Sequence, residues 1–108
     1  MNTATLSALA EPNRLHMVEL LLDGPLTVGE IADRLELRQP QASKHLKVLS
    51  EARIVEVRPD ANRRIYKLRA EPLQEMDAWL DRFRGMWESR FEQLDAYLQH
   101  LQHQKRDN

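Results

Sequence analysis

With 108 residues, no cysteine and a net charge of −1, the chain is long enough for one hydrophobic core and too short for two. The missing cysteine excludes disulfides, thiolate metal sites and a cysteine nucleophile. No apolar run approaches the roughly 20 residues of a membrane helix, and the first residues lack the basic region and apolar run of a signal peptide, so a cytoplasmic protein with no membrane partner is expected.

The near-zero total conceals an uneven distribution. From Arg34 to Arg69 ten basic residues stand against four acidic ones, while the remainder is acidic in balance. A basic middle in an acidic frame is the footprint of a protein that lays one surface on a polyanion and keeps the other off it.

In chain order, Thr3 to Ala10 alternate small and apolar residues, and a short helix is expected in this 1–10 arm with Leu6 and Leu9 inward. Glu11-Pro12-Asn13 opens a second helix, since proline is tolerated in a first turn where its missing N–H has no partner anyway. Leu15, Val18, Leu21 and Leu22 form its apolar stripe, and Asp23-Gly24-Pro25 ends it, Gly24 as a left-handed cap. His16, alone, is read as a surface or packing residue.

Thr27 and Glu30 have capping-box spacing, which places a third helix over 28–35 with Ile31, Ala32 and Leu35 inward. After a short turn at Leu37, a fourth helix runs over 39–52. At 3.6 residues per turn, Ala42, Leu46 and Leu49 share one stripe, while Gln39, Ser43, Lys44 and Lys47 face the other way. Such a face is often merely solvated. Two short helices joined by three or four residues, the second polar outward, nevertheless form a helix-turn-helix, whose lysines suit phosphate and whose Gln and Ser suit base edges.

After Ala52 the pattern alternates, giving two strands, 54–58 and 63–68, about a turn at Pro59-Asp60-Ala61-Asn62 in which Asp and Asn tolerate positive φ. This hairpin, 54–68, is a wing. Its Arg58, Arg63 and Arg64 are either protection of a sheet edge or contacts to phosphate and minor groove, and beside a recognition helix the second reading is preferred. Tyr66 and Leu68 anchor the hairpin to the core. Pro72 opens a last helix reaching about Gln102, with Leu73, Met76, Leu80, Phe83, Trp87, Phe91, Leu94, Leu98 and Leu101 at steps of three and four. So long a stripe calls for a second copy, or for a fold back on its own domain with a bend at Gly85.

These residues resemble the ArsR-type winged helix-turn-helix repressors. The resemblance rests on Leu9-Ala10-Glu11-Pro12-Asn13-Arg14-Leu15, Leu26-Thr27-Val28-Gly29-Glu30-Ile31-Ala32, the run Gln41 to Leu49 around Ser43-Lys44-His45-Leu46, and Arg63-Arg64-Ile65-Tyr66-Lys67-Leu68. The tail around Trp79 to Trp87 is similar to the branch without metal-ligand cysteines, close to SdpR-type autorepressors. The implied fold is mainly α with a small β-hairpin, one winged helix-turn-helix domain with a DNA-binding core over 11–70 and a dimerisation helix over 72–102. The implied function is a homodimer that binds an inverted-repeat operator in double-stranded DNA and represses transcription. Candidate DNA contacts are Arg38, Gln39, Gln41, Ser43, Lys44, His45 and Lys47 with the wing residues Arg58, Asn62, Arg63 and Arg64. Candidate dimer contacts are Leu6, Leu9, Leu73, Met76, Leu80, Phe83, Trp87, Phe91, Leu94 and Leu98.

Departures from the family pattern matter too. The third helix has no cysteines, His100 and His103 lack the Asp-x-His partner that Trp87 to Arg90 would have to supply, and no metal or cofactor is expected. Arg38 stands at a helix start where a Ser-like cap is common, and Asn62 replaces a wing glycine. A protein-interaction module, or a sensor of the same family with an unknown small-molecule effector, are the alternatives. An enzyme is not expected, because there are only three glycines and no phosphate loop, serine elbow or catalytic cluster. Ser43 and His45, two apart on a helix, point about 200° from each other.

Overall fold

A computed structural model describes residues 1–106. The elements are α1 (Thr3–Leu9), α2 (Pro12–Leu21), β1 (Leu26–Thr27), α3 (Val28–Leu35), α4 (Gln39–Glu51), β2 (Val55–Asp60), β3 (Arg63–Leu68) and α5 (Ala70–Arg106). They form two compact units, Met1–Glu75 and Met76–Asn108, and no described helix is long and apolar enough to cross a membrane.

In the first unit, Met17, Ile31, Leu46, Leu49, Ile54 and Val55 are the large side chains wholly removed from solvent. At about 2 kcal/mol for each such side chain, this cluster fastens α2, α3, α4 and the sheet together. Two helices are rotated from the expected phase. In α1 the inward residues are Thr5 and Ala8, with Leu9 packed against the core, whereas Leu6 is exposed. A step of about 100° per residue cannot bury 5, 8 and 9 and also 6. In α2, Met17 and Leu21 are buried and Val18 and Leu20 pack beside them, while Leu15 and Leu22 are exposed, Leu22 to 77%. Methionine is unbranched and fits an irregular gap, and it takes the core position that the leucine spacing assigned to Leu15.

Gly24 has φ +143°, a conformation that side chains disfavour, and its N–H reaches the Leu21 carbonyl at 3.2 Å. The turn delivers Leu26 and Thr27 to a strand that was not expected. β1 pairs antiparallel with β3, Leu26 opposite Tyr66 and Thr27 opposite Ile65, so the sheet has order β1-β3-β2.

The capping box at α3 forms as expected, Thr27 Oγ1 accepting the Glu30 N–H at 3.2 Å and Glu30 Oε1 accepting the Thr27 N–H at 3.0 Å. The Thr27 backbone N–H first, then the Thr27 side chain, with Arg34 and Arg63 nearby, hold the Glu30 carboxyl below the ordinary glutamate value. α3 and α4 then end alike. Glu36 and Arg53 take left-handed φ of 56° and 61°. The next N–H closes back five residues, Leu37 to Ala32 and Ile54 to Leu49, each at 2.9 Å. This is the Schellman ending, with Leu37 and Ile54 supplying its apolar contact. Both turns use a residue with a Cβ where glycine fits best. Glu36→Gly is therefore expected to stabilise the protein by about 0.5 kcal/mol, strain relief net of chain entropy. Glu36→Val should cost about 1 kcal/mol or more, both measured by urea unfolding.

The wing differs in detail from expectation. β2 runs on through Pro59 and Asp60, and the hairpin closes over two residues, Ala61 and Asn62, with Asp60 opposite Arg63. Pro59 is admissible because β2 is an edge strand. The positive φ falls on Ala61, at 55°, and not on Asp60 or Asn62. Tyr66 is buried and Leu68 packs against the core.

α5 begins at Ala70, two residues before Pro72, and is helical through Gly85. In the second unit Arg84 meets Asp77 and Asp81 at 3.2 Å and Glu88 at 4.0 Å, and Trp79 stacks edge-on to Phe83 at 4.9 Å. Leu80, Phe83, Met86, Trp87, Phe91, Leu94, Tyr97, Leu98 and Leu101 are exposed.

Candidate nucleic-acid interface

α4 positions the polar row because its other side is locked: Ala42, Leu46 and Leu49 have no exposed surface. Gln39, Ser43, Lys44 and Lys47 consequently lie in solvent. From Gln39 to Lys47 the row is about 12 Å long at 1.5 Å per residue, a length that crosses a major groove about 12 Å wide.

The wing stands beside this row and leaves two recesses. One, of about 470 Å³, is lined by Ser43, Lys44, Lys47 and Arg64 together with Glu51, Val57 and Tyr66. The other, of about 440 Å³, lies among Gln39 and Ser43, the start of α3 at Thr27 and Gly29, and the wing residues Asn62, Arg63 and Arg64. Ser43 and Arg64 line both, so helix and wing make one continuous surface. The Gln39 amide rests over Gly29, where a methyl group would meet its Nε2 at 3.6 Å.

Seven of the expected contact residues are thus brought together: Gln39, Ser43, Lys44, Lys47, Asn62, Arg63 and Arg64. Four stand differently. Arg38 is the N-cap of α4 and exposed, and its guanidinium has no acceptor to offer the helix. Gln41 is engaged in the other half of that cap, its Oε1 accepting the Arg38 N–H at 3.2 Å. Arg58, on β2, lines neither recess and lies 3.9 Å from Glu56. His45 is turned from the row toward α2, its Nδ1 3.6 Å from Glu11 and 3.5 Å from Arg14. The expectation missed Thr27, Gly29 and Val57. The capping box located the start of α3, but only the pairing of β1 with β3 reveals that this start borders the wing.

Chemically the surface offers cations, amides and a hydroxyl, with Arg63 tied to Asp60 only by an exposed pair at 3.6 Å that is weak in water. Among the described residues no three His, Asp or Glu side chains converge on one point, and His100 lies 3.1 Å from Gln104.

The pattern of one family, "Bacterial regulatory protein, arsR family", matches residues 11–57. The chain is 47% identical over 76 residues to the HTH-type transcriptional regulator Rv2034 of Mycobacterium tuberculosis, which spans 70% of this chain and 71% of that one. It is 43% identical over 63 residues to the biofilm growth-associated repressor of Agrobacterium fabrum, 58% of this chain and 54% of that one. To the transcriptional activator HlyU of Vibrio cholerae it is 38% identical over 77 residues, 71% of each. Among solved structures, the ArsR family transcriptional regulator RHA00566 superposes with a TM-score of 0.71 at 29% identity, over 81% of this chain and 90% of that one. The homodimeric winged helix-turn-helix DNA-binding domain Mb0332 of Mycobacterium bovis does so with a TM-score of 0.64 at 28% identity, over 73% of each.

Proposed function

We propose that this chain, which belongs to the arsR family of bacterial regulatory proteins and is therefore a DNA-binding transcription regulator rather than an enzyme, acts as a homodimeric repressor on an inverted-repeat operator. The observation that carries the reading is the continuous surface of Gln39, Ser43, Lys44 and Lys47 with Arg63 and Arg64, four of them cationic, backed by a fully buried stripe. α4 enters the major groove, its lysines and the wing arginines meet phosphate, and Gln39 and Ser43 read base edges.

The exposed apolar stripe of α5 supports pairing with a second copy, and Mb0332 is a homodimer by its description. Twofold pairing sets two α4 helices in successive major grooves, half-sites about 10 bp apart. Repression follows from occupancy: a dimer seated across a promoter excludes polymerase without needing a further surface. The named relatives include both a repressor and an activator, so the sign of regulation is measured directly.

The test is selection of bound duplexes from a random pool, followed by transcription in vitro from a promoter carrying the selected sequence. An inverted repeat whose occupancy lowers transcript is expected, and a single unpaired half-site or a rise in transcript refutes the corresponding part. Gln39→Ala should then reduce discrimination at one base position per half-site by about 1–3 kcal/mol, read by competition with single-position variants of the selected duplex.

A further inference from the structure

Arg14, Glu11 and His45 meet where α1, α2 and α4 converge, away from the DNA-facing row. The Arg14 guanidinium donates through Nε to the Ala8 carbonyl at 2.6 Å and reaches the Ser7 carbonyl at 3.5 Å, both late in α1. Its Nη1 lies 3.5 Å from Nδ1 of His45, in the middle of α4. The same ring nitrogen is 3.6 Å from Oε2 of Glu11, the N-cap of α2, which already accepts the Arg14 N–H at 3.0 Å. The His45 side chain is only 23% exposed. α1 carries no charged side chain, and the charged groups in contact with the ring are Glu11 and Arg14, both from α2.

One nitrogen thus faces a donor and an acceptor. Neutral imidazole with its proton on Nε2 can only accept at Nδ1, and Arg14 is the donor. Imidazolium can only donate there, and Glu11 is the acceptor. Arg14 is held by two carbonyls of α1, so the guanidinium does not retreat from a protonated ring. The ring, and α4 with it, takes up the change.

Resting on the DNA-binding reading above, we propose that Arg14 and Glu11 are positioning residues that set the recognition helix through His45, and that protonation of His45 releases this setting and lowers sequence preference. An added positive charge on α4 raises affinity for every duplex alike. The informative quantity is therefore the ratio of affinities for the selected duplex and for a scrambled duplex of equal length.

The experiment measures that ratio by fluorescence anisotropy on the full chain at about pH 7.5 and about pH 5.5, either side of the histidine range. In the unsubstituted protein it is expected to fall about fivefold at the lower pH, the scale of one hydrogen bond. His45→Asn keeps an acceptor but cannot titrate, and should show no fall. Glu11→Gln keeps the acceptor for the Arg14 N–H but removes the carboxylate that a donating Nδ1 would pair with, and should shrink the fall. A response identical in His45→Asn and the unsubstituted protein, or a fall unchanged by Glu11→Gln, overturns the proposal while leaving DNA binding intact. No preference for the selected duplex even at about pH 7.5 overturns both.

Discussion

Replacing Lys44 and Lys47 together by alanine is expected to weaken binding to selected and scrambled duplexes alike, and to flatten the dependence of affinity on salt. Both side chains are exposed and line one recess with Arg64, where their ammonium groups are point charges without geometric selectivity. Each phosphate neutralised contributes about 0.9 to the slope of log affinity against log salt, hence about tenfold in affinity near 0.1 M salt. A dimer loses four such contacts. The slope should fall by up to about 3.6 and the affinity by up to about four orders of magnitude. Because Leu46 and Leu49 keep their places, thermal stability should hold within about 0.5 kcal/mol, as for other surface changes. An unchanged slope in a gel-shift titration at several salt concentrations would remove this helix face from the duplex.

Phe91→Glu combined with Leu94→Glu should have the largest effect on assembly. The two side chains are exposed, Phe91 to 67% and Leu94 to 52%, one turn apart on α5. Paired with a second copy, four of them leave water, at about 2 kcal/mol each, which amounts to about 8 kcal/mol or several orders of magnitude in the dimerisation constant. The introduced carboxylates add repulsion across a twofold interface. Sedimentation should show a monomer, and the selected inverted repeat should be bound no better than an isolated half-site. Glutamate is a good helix former, so a loss of helical signal is not expected. A dimer that survives the double substitution would place the contact elsewhere.

What could be read from the sequence was what is local. The capping box of Thr27 and Glu30, the phase of α4 and the two runs of the wing depend on neighbours within a few residues. In the α2 stripe Val18 and Leu21 keep their inward places, but Leu15 and Leu22 satisfy helical spacing as well as Met17 does, and only the packing partners decide between them. β1 has two residues, too few to show alternation. Helical spacing groups His45 with its neighbours on α4, whereas its partners lie 31 and 34 positions earlier, at Arg14 and Glu11. No pattern of spacing encodes a contact of that range. The same holds for the border between α3 and the wing, which exists only once β1 has joined β3.

That short join gives β3 neighbours on both sides, with β2 along its whole length and β1 at Ile65 and Tyr66. The wing is accordingly no free lever. Extra residues grafted between Ala61 and Asn62, at the exposed tip, would lengthen the hairpin and leave its root undisturbed. A single extra residue beside Ile65 would slip the strand by one place and turn Tyr66 outward. Only the tip is therefore free to vary in reach, while the splice at Leu26 and Thr27 obliges the start of α3 and the root of the wing to move as one body.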